Sequence, residues 1–170
     1  YVFEVSFLDA TMSNTHEWCA VGTEPQIDIL QDLPIETFSW WMAQMVEGEA
    51  IVLDSLDDLP PEAEAERQVL QDQDIQSLLV VPLSYEGELL GFMGFDAVGD
   101  QRTWMEADVG LLHVFAEIVA SALSHREATL RAWEEAQRVK EVMAGVPEGV
   151  QTLKRQRNCL HWPDVSLASS

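Results

Sequence analysis

Cysteine is scarce in this chain of 170 residues, which contains only Cys19 and Cys159. Neither cysteine belongs to a CxxC pair or to a cysteine and histidine ligand pattern, so neither a disulfide framework nor a zinc site is predicted. The four histidines are scattered, without an HxxxH or HExxH arrangement that would turn two rings toward one metal ion. The low cysteine content favours a reducing cytoplasm as the compartment.

Positive charge is also scarce, and its distribution divides the chain. Nine lysines and arginines stand against 30 aspartates and glutamates, which gives a formal net charge of −21. Only Arg67 and Arg102 precede residue 126, and the first lysine is Lys140. A phosphate-binding surface needs clustered cations, so we expect no nucleic-acid partner. The change in composition near His125 predicts a domain boundary.

Long apolar segments are missing from the sequence as well. No uninterrupted apolar run reaches the roughly 18 to 20 residues that a membrane-spanning helix needs. The first eight residues, YVFEVSFL, lack the basic start and the cleavage site of a signal peptide. We therefore expect no membrane contact for this segment, and its start on a strand-like sequence without methionine suggests a piece of a longer protein.

Short apolar segments between polar turns predict a sheet combined with helices. Residues 1–8 and 16–21 are expected to be the strands of a hairpin, and residues 50–53 a third short strand. Residues 35–47 carry apolar side chains at helical spacing. A polar helix is expected over residues 62–73, after a pair of prolines.

The strongest pattern is a hairpin of residues 77–83 (SLLVVPL) and 89–95 (LLGFMGF). Successive side chains of a strand point to opposite faces. The predicted alternating sets are Leu79, Val81 and Leu83 against Leu78 and Val80, and Leu89, Met93 and Phe95 against Leu90 and Phe92. Because both faces are apolar, the pattern predicts an antiparallel sheet that is covered on both sides.

From about residue 104 the pattern becomes that of one long helix, expected to reach about residue 143. Its first half carries a wide apolar stripe that includes Val109, Leu112, Phe115, Val119, Ala122 and Leu123. Its second half carries a thinner, heptad-like seam with Leu130 and Trp133 among charges, which is typical of a two-stranded coiled coil. We expect Leu123, Leu130 and Trp133 to lie on the helix through which two copies dimerise.

This order of elements resembles the GAF domain family. The residues that carry the resemblance are 51–53, 75–83, 87–96 and 104–123, and the match covers most of residues 1–126. It is most similar to sensory GAF modules of bacterial signalling proteins, in diguanylate cyclase, phosphodiesterase or histidine kinase chains. The resemblance implies an α+β fold: a central antiparallel sheet of about five or six strands with helices on both faces, followed by a long C-terminal helix.

The expected organisation has three parts. Residues 1–126 form a GAF-like sensory domain in which the family's usual first helix is missing. Residues 127–144 form a signalling helix that continues from the domain. Residues 145–170 form a tail, which is either the start of a following domain, since its opening resembles that of a PAS domain, or poorly ordered.

The resemblance also implies a small pocket on the sheet face opposite the terminal helix, roofed by residues 38–45 and by the polar helix. Trp40, Trp41 and Asp54 are the candidate ligand-binding residues, with Arg67 as the nearby cation, and the cofactor is unknown. The alternative is that both tryptophans are ordinary core and rim residues and that Arg67 pairs with surface carboxylates.

Two ligands known in the family are not expected here. The nucleotide-binding signature of GAF domains contains an Asn-Lys pair, and no lysine precedes Lys140. Covalent bilin attachment needs a cysteine near a histidine at the pocket, whereas His16 and Cys19 are predicted on opposite sides of a strand.

Three functions remain open at this stage. The leading hypothesis is a non-catalytic regulatory domain that senses a small molecule or a partner and transmits to a covalently linked output domain through a dimeric helix. The second is a dimerisation spacer without a ligand. The third is a thiol-dependent enzyme, similar to the GAF relatives that reduce methionine sulfoxide, acting through Cys19. No phosphate loop or nucleophile elbow is present, so we expect no catalytic residues.

Overall fold

The computed structural model describes residues 1–144. Its packing divides the chain into one unit of Tyr1–Arg126 and a second unit that begins at Glu127. The expectations for the tail, including the resemblance to a PAS opening and the neighbourhood of Cys159, lie outside the described residues.

The described part contains one antiparallel sheet with the strand order β3-β2-β1-β6-β5-β4. The strands are β1 Val2–Ser6, β2 Thr11–His16, β3 Leu33–Pro34, β4 Ile51–Leu53, β5 Ile75–Tyr85 and β6 Glu88–Val98. The helices are α1 Ser39–Glu47, α2 Glu64–Asp72 and α3 Glu106–Ala144, with single 3-10 turns at Ile35–Phe38, Leu56–Asp58 and Pro61–Ala63. The predicted α+β fold, with an antiparallel sheet, helices on both faces and a long C-terminal helix, is confirmed.

The hairpin of β5 and β6 is closed by a two-residue turn. Both turn residues, Glu86 and Gly87, have positive φ angles, of 51° and 86°. Turns of this kind match the right-handed twist of the strands that they join, so they hold the two strands in register. The two eleven-residue strands of this hairpin form the centre of the sheet together with β1.

Each face of the sheet is covered by its own apolar core, which we name after the helices above it. The short-helix core lies beneath α1 and α2, and the long-helix core lies beneath the first half of α3. On β5, Leu78 and Val80 pack in the short-helix core, while Leu79, Val81 and Leu83 pack in the long-helix core. The predicted alternation of β5 is therefore confirmed, and so is the covering of both faces.

On β6 the predicted alternation is wrong at Leu89 and Leu90, although Phe92 and Met93 lie on opposite sides as predicted. The short-helix core contains Leu89 with Phe92, and the long-helix core contains Leu90 with Met93. The register shifts directly after Leu83, which pairs with Gly91, so that Leu90 is one extra residue on β6. A β-bulge of this kind reverses the side to which the following residues point. Strict alternation read from sequence cannot detect it.

The N-terminal hairpin also differs from its prediction. Its second strand is β2, mostly over residues that the sequence predicts as the turn of the hairpin, and of the segment predicted as a strand, 16–21, only His16 belongs to β2. Only Met12 and Asn14 of β2 are buried, so the strand has too few apolar side chains to be recognised. The connector predicted before α1 contains the two-residue strand β3, which pairs with the start of β2.

The first half of α3 packs on the sheet through a narrow line of residues. Leu112, Ala116 and Ala120 are buried at four-residue spacing, and the two small alanines allow the helix to approach the sheet closely. Phe115, predicted on the same apolar stripe as Leu112, is 48% exposed instead. It belongs to an outward-facing apolar stripe, the outer stripe, made up of Leu111, Val114, Phe115 and Ile118.

Helix α3 is also long and apolar enough, by length and composition alone, to cross a membrane. Core helices of water-exposed domains meet the same two criteria. In this helix Leu112, Ala116 and Ala120 pack on the sheet. The finding therefore does not by itself identify a membrane-spanning segment.

A substitution at Gly91 tests the close approach of β6 to β1. A Cβ atom on Gly91 would collide with the backbone carbonyl oxygen of Phe3, which cannot move without disturbing the strand pairing. We expect Gly91→Ala to lower the free energy of unfolding by about 2–3 kcal/mol, as overpacking typically does. Urea denaturation monitored by circular dichroism measures this difference.

The matched control is Gly110→Ala on α3, where an added Cβ atom meets no other atom within 4 Å. Removing a glycine from a helix stabilises it by about 0.5–1 kcal/mol, so this variant should unfold at a higher urea concentration. Equal stability of the two variants would contradict the strand packing described for Gly91.

Candidate functional site

A cavity of about 70 Å³ lies within the short-helix core, on the sheet face opposite α3. Its floor comes from β1, β2, β5 and β6, and its roof comes from α2 and from the segment that leads into α1. This is the place where the resemblance implies a pocket. The apolar lining residues are Phe3, Met12, Leu30, Leu33, Phe38, Trp41, Val69, Leu70, Ile75 and Phe92, and the others are Tyr1, Asn14, Glu17, Glu66, Gln73 and Asp96.

Aromatic rings form one wall of the cavity. The rings of Phe3 and Phe92 stack with a centroid separation of 4.9 Å, and Trp41 meets Phe92 edge-on at 5.8 Å. Tyr1 contacts Phe3 in a T-shaped arrangement. Because these rings support one another, the wall is preformed and does not depend on an occupant.

The polar side chains that line the cavity include both acidic and neutral ones. Three of them carry carboxyl groups, Glu17, Glu66 and Asp96. Among the residues that line the cavity within the described chain, none is lysine, arginine or histidine. The arginines of the first unit are engaged elsewhere, as the salt bridges of Arg102 with Asp108 and of Arg126 with Glu4 show.

Asp96, near the end of β6, is the most perturbed of these groups. Burial raises the pKa of its carboxyl group to about 7, against the opposing influences of a hydrogen bond from the Tyr1 hydroxyl and of the Tyr1 amino group. Glu17 adds a further, smaller increase in the pKa. Burial likewise raises the pKa of the Tyr1 hydroxyl well above its usual value. The Oδ1 atom of Asp96 has no hydrogen-bond partner.

Asn14 is the second polar group with an unmet hydrogen bond. Its side chain is buried on β2 at 2% exposure, and its amide nitrogen donates to Glu17 at 3.5 Å. In this orientation of the amide, the oxygen, Oδ1, lacks a partner. Buried acceptors without partners are rare in folded proteins, and a pair of them in one cavity indicates that an occupant supplies the donors.

Glu17 and Glu66 have structural partners already. Glu66, buried on α2, accepts a hydrogen bond from the backbone N–H of Trp41 in the first turn of α1, where a carboxylate is favoured by the helix dipole. Glu17 accepts the backbone N–H groups of Gln26 and Ile27 and so holds the loop after β2 against the cavity. Both carboxylates therefore shape the walls as well as contributing negative charge.

Of the four residues that the sequence nominates as ligand-binding, only Trp41 lines the cavity. Trp40 is half-buried and packs against the short-helix core from outside the cavity. The carboxylate of Asp54 accepts the backbone N–H of Trp104 at 3.0 Å, in the connection before α3. The guanidinium of Arg67 donates to two backbone carbonyl oxygens in the loop after β4, at Leu56 and Leu59.

The residues that sequence reasoning missed are Tyr1, Asn14 and Asp96. Asn14 lies in β2, most of which the sequence predicts as a turn, and asparagine is a common turn residue. Asp96 directly follows the apolar run of β6. A charged residue at the end of a buried strand is the one sequence feature that points to it as a site residue. Its partner Tyr1 lies 95 positions away in sequence, and only the pairing of β1 with β6 brings the two together.

A second cavity, of about 260 Å³, adjoins the first. The two share five wall residues: Tyr1, Glu17, Gln73, Ile75 and Asp96. The outer cavity is more polar and is also lined by Trp18 and Cys19 from the segment after β2. The carboxyl groups of Glu17 and Asp96 therefore stand at the boundary between an apolar inner cavity and a polar outer one.

Cys19 has the wrong electrostatic setting for a reactive thiol. Burial, and after it the nearby Glu17 carboxylate, raise the pKa of the Cys19 thiol, whereas nucleophilic cysteines need a lowered pKa. Within residues 1–144 no group of three or more histidine, cysteine, aspartate or glutamate side chains is arranged to hold a metal ion.

The three residues nominated for the dimer helix have different surroundings. Leu123 is half-buried and packs against the long-helix core. Leu130 and Trp133, in the second unit, are 53% and 61% exposed. Leu123 is thus engaged within its own unit, and Leu130 and Trp133 are the ones available to a partner.

Comparison with known proteins agrees with this architecture. A model of the GAF domain family matches residues 8–123. The methanogenesis regulatory histidine kinase FilI of Methanothrix harundinacea (strain 6Ac) is 34% identical over 126 residues, which cover 72% of this chain and 14% of the kinase. The chain thus spans about 14% of the length of this relative.

Solved structures show the same fold at low sequence identity. The photoproduct state of GAF3 from Slr1393 of Synechocystis sp. PCC6803 superposes with a TM-score of 0.64 at 20% identity, covering 76% of this chain and 84% of that one. The blue-light absorbing form of the Thermosynechococcus elongatus PixJ GAF domain gives a TM-score of 0.60 at 18% identity, covering 79% and 80%. At these identities the similarity concerns the fold alone.

The perturbed carboxyl group predicts a measurable pH dependence of stability. Because the pKa of Asp96 is raised to about 7 in the folded state, that state binds more protons than the unfolded chain between about pH 4 and pH 7. The contribution of this group to stability is thus full below about pH 4 and is lost as the pH rises to about 7. Asp96→Asn, which cannot ionise, should gain stability relative to the unmodified protein over this interval.

Urea denaturation of both proteins at several pH values between 4 and 8 measures this difference. The control is Asp100→Asn, which makes the same change of charge at an exposed position four residues further on. Its profile should run parallel to that of the unmodified protein. A parallel profile for Asp96→Asn as well would contradict the assignment of the raised pKa.

Proposed function

The chain belongs to the GAF domain family, and from this premise we propose that it is the sensory module of a larger signalling protein. In this proposal a small molecule binds in the inner cavity, and its presence is transmitted to a linked output domain through a dimer of α3. The module itself is regulatory and has no catalytic role. Its scarce cysteines agree with a reducing cytoplasm.

The observation that carries this proposal is the pair of unpartnered acceptors in an apolar cavity. Leaving a buried polar atom without a hydrogen bond costs about 1–3 kcal/mol, a large share of the stability of a small domain. The Oδ1 atoms of Asn14 and Asp96 are both in this condition. A domain that served only as a spacer would gain stability by replacing them with apolar side chains, and a ligand that donates hydrogen bonds gives a reason to keep them.

The architecture supplies a path from the cavity to the helix. Strand β6 contributes Phe92 to the cavity wall and Met93 to the core beneath α3. A ligand that displaces Phe92 therefore also moves Met93, the next residue on β6, and so changes the packing of α3 on the sheet. Such transmission requires that the ligand bind one arrangement of strand and helix more tightly than another.

Exposed apolar side chains on α3 support a dimer. The outer stripe faces away from the sheet, and Leu130 and Trp133 add two further exposed apolar positions in the second unit. Apolar stripes of this kind commonly mark association surfaces. A second copy of the chain is the simplest partner, because a pair of identical helices can bury the same stripe reciprocally.

A cavity-filling variant tests the sensory role. Val69 lines the cavity from α2, so Val69→Phe should occupy the space of a ligand. A set of small metabolites is screened by thermal unfolding of the full chain. Compounds that bind only the folded state stabilise it, by about 2.7 kcal/mol at a hundred times the dissociation constant. We expect at least one compound to raise the Tm of the unmodified protein and to lose that effect with Val69→Phe.

The control for this screen is Val46→Phe, which makes the same change on the exposed side of α1. It should keep the response to each active compound. If no compound changes the Tm, or if stabilisation persists unchanged in Val69→Phe, the cavity is not a sensory site and the spacer function is favoured.

A second variant pair tests the dimer. Replacing Leu130 and Trp133 together by alanine removes two exposed apolar side chains, and we expect the dimer dissociation constant to rise at least about tenfold, which corresponds to about 1.4 kcal/mol. Sedimentation velocity over a concentration series measures it. Glu134→Ala, an exposed neighbour on the same helix, should leave the constant within about twofold, since surface charges contribute little. Unchanged dimerisation of the double variant would rule out this part of α3 as the interface.

A further inference from the structure

The charge of the cavity allows its ligand to be described chemically. We propose that the cavity binds a small organic cation, a primary ammonium with a short apolar chain, whose charged group lies between Asp96, Asn14 and Glu17 and whose carbon chain fills the inner cavity. This inference rests on the sensory role proposed above and adds the chemical class of the ligand.

The first argument is electrostatic. The inner cavity has three carboxyl groups and no basic side chain among its lining residues, and the Tyr1 amino group already donates to the Gly94 carbonyl oxygen, so an anionic ligand would meet net repulsion. A buried charge is tolerated only where an opposite charge or several hydrogen bonds accompany it. A cation entering here compensates the charge of Asp96, whereas the nearest arginine on the cavity's roof helix, Arg67, is held by backbone carbonyls outside the cavity.

The second argument concerns hydrogen bonds. Three polar atoms of the lining residues lack a partner: two are acceptors, Asn14 Oδ1 and Asp96 Oδ1, and one is a donor, Trp41 Nε1 in the aromatic wall. An ammonium group offers three donors and no acceptor, so it matches two acceptors and leaves one donor for Glu17 or water. A carboxylate ligand would bring only further acceptors, and a hydroxyl group would bring only one donor.

The third argument concerns size and shape. A cavity of about 70 Å³ is filled by on the order of five non-hydrogen atoms. Its inner wall consists of the rings of Phe3, Trp41 and Phe92, which suits a hydrocarbon chain. The carboxylates of Glu17 and Asp96 stand at the boundary with the outer cavity, where the charged end of the ligand would remain near water.

The pH dependence of binding follows from the same geometry. The charged and titratable groups around Asp96 are the Tyr1 hydroxyl and amino groups directly before β1, Glu17 after β2 and Glu66 on α2. An ammonium ion favours the ionised form of Asp96. Binding at pH 6 therefore requires the loss of a proton from Asp96, whereas at pH 8 the group is already ionised, and the affinity rises between these values.

The experiment compares three probes of nearly equal size by isothermal titration calorimetry with the full chain at constant ionic strength. The probes are n-butylammonium, 1-butanol and butyrate. We expect n-butylammonium to bind at least tenfold more tightly than either of the others, with an affinity that rises at least threefold from pH 6 to pH 8. Asp96→Asn should weaken n-butylammonium binding at least tenfold and remove its pH dependence, whereas Asp100→Asn should change neither.

Several results would overturn the inference. Equal or tighter binding of 1-butanol or butyrate would show that the cavity does not select a cation. An equal loss of n-butylammonium affinity in Asp96→Asn and Asp100→Asn would show that the binding depends on the net charge of the surface and not on Asp96. If n-butylammonium does not bind while compounds of another class are active in the metabolite screen, the ligand is not an organic cation and the sensory role stands. Absence of any binding in both experiments would refute both proposals.

Discussion

The rest of this structure depends on a sheet that is apolar on both faces. Along β5 the side chains Leu78, Leu79, Val80 and Val81 are all fully buried, two on each side. Water cannot be left against either face without losing the hydrophobic stabilisation of these residues, about 1.5–3 kcal/mol for each buried side chain. The sheet therefore requires two coverings, and the placement of every helix follows from that requirement.

The two coverings are built differently, and the difference produces the site. On one face a single helix lies close to the sheet because Ala116 and Ala120 present almost no side chain. On the other face the cover is assembled from two nine-residue helices and their connecting turns, which cannot follow the sheet surface as evenly. The cavity lies beneath this assembled cover, where Asn14 and Asp96 reach it from the sheet.

The polar groups of the cavity lower the stability of the fold. Asn14 and Asp96 are held where an apolar side chain would pack better, and the bulge on β6 changes which residues face the cavity upstream of Asp96. Buried polar groups of this kind are expected at functional sites, where side chains are retained for binding or catalysis at a cost in stability. In this chain Asn14 and Asp96 line the same inner cavity, and Asp96 also lies at its boundary with the outer one.

The fold class, the alternation on β5 and the long helix can be predicted from sequence, because they depend on local periodicity and on apolar runs that any folded arrangement must bury, and the family is recognised by the resemblance of several motifs in order. The bulge at Leu90, the strand β2 and the composition of the cavity emerge only from the packing of the folded chain. Tyr1 directly precedes β1, Asn14 lies on β2 and Asp96 lies on the distant strand β6, and their proximity is created by the pairing of β1 with both β2 and β6. Periodicity reports which residues are buried, and it does not report which buried residues share a cavity, because that depends on contacts between distant segments.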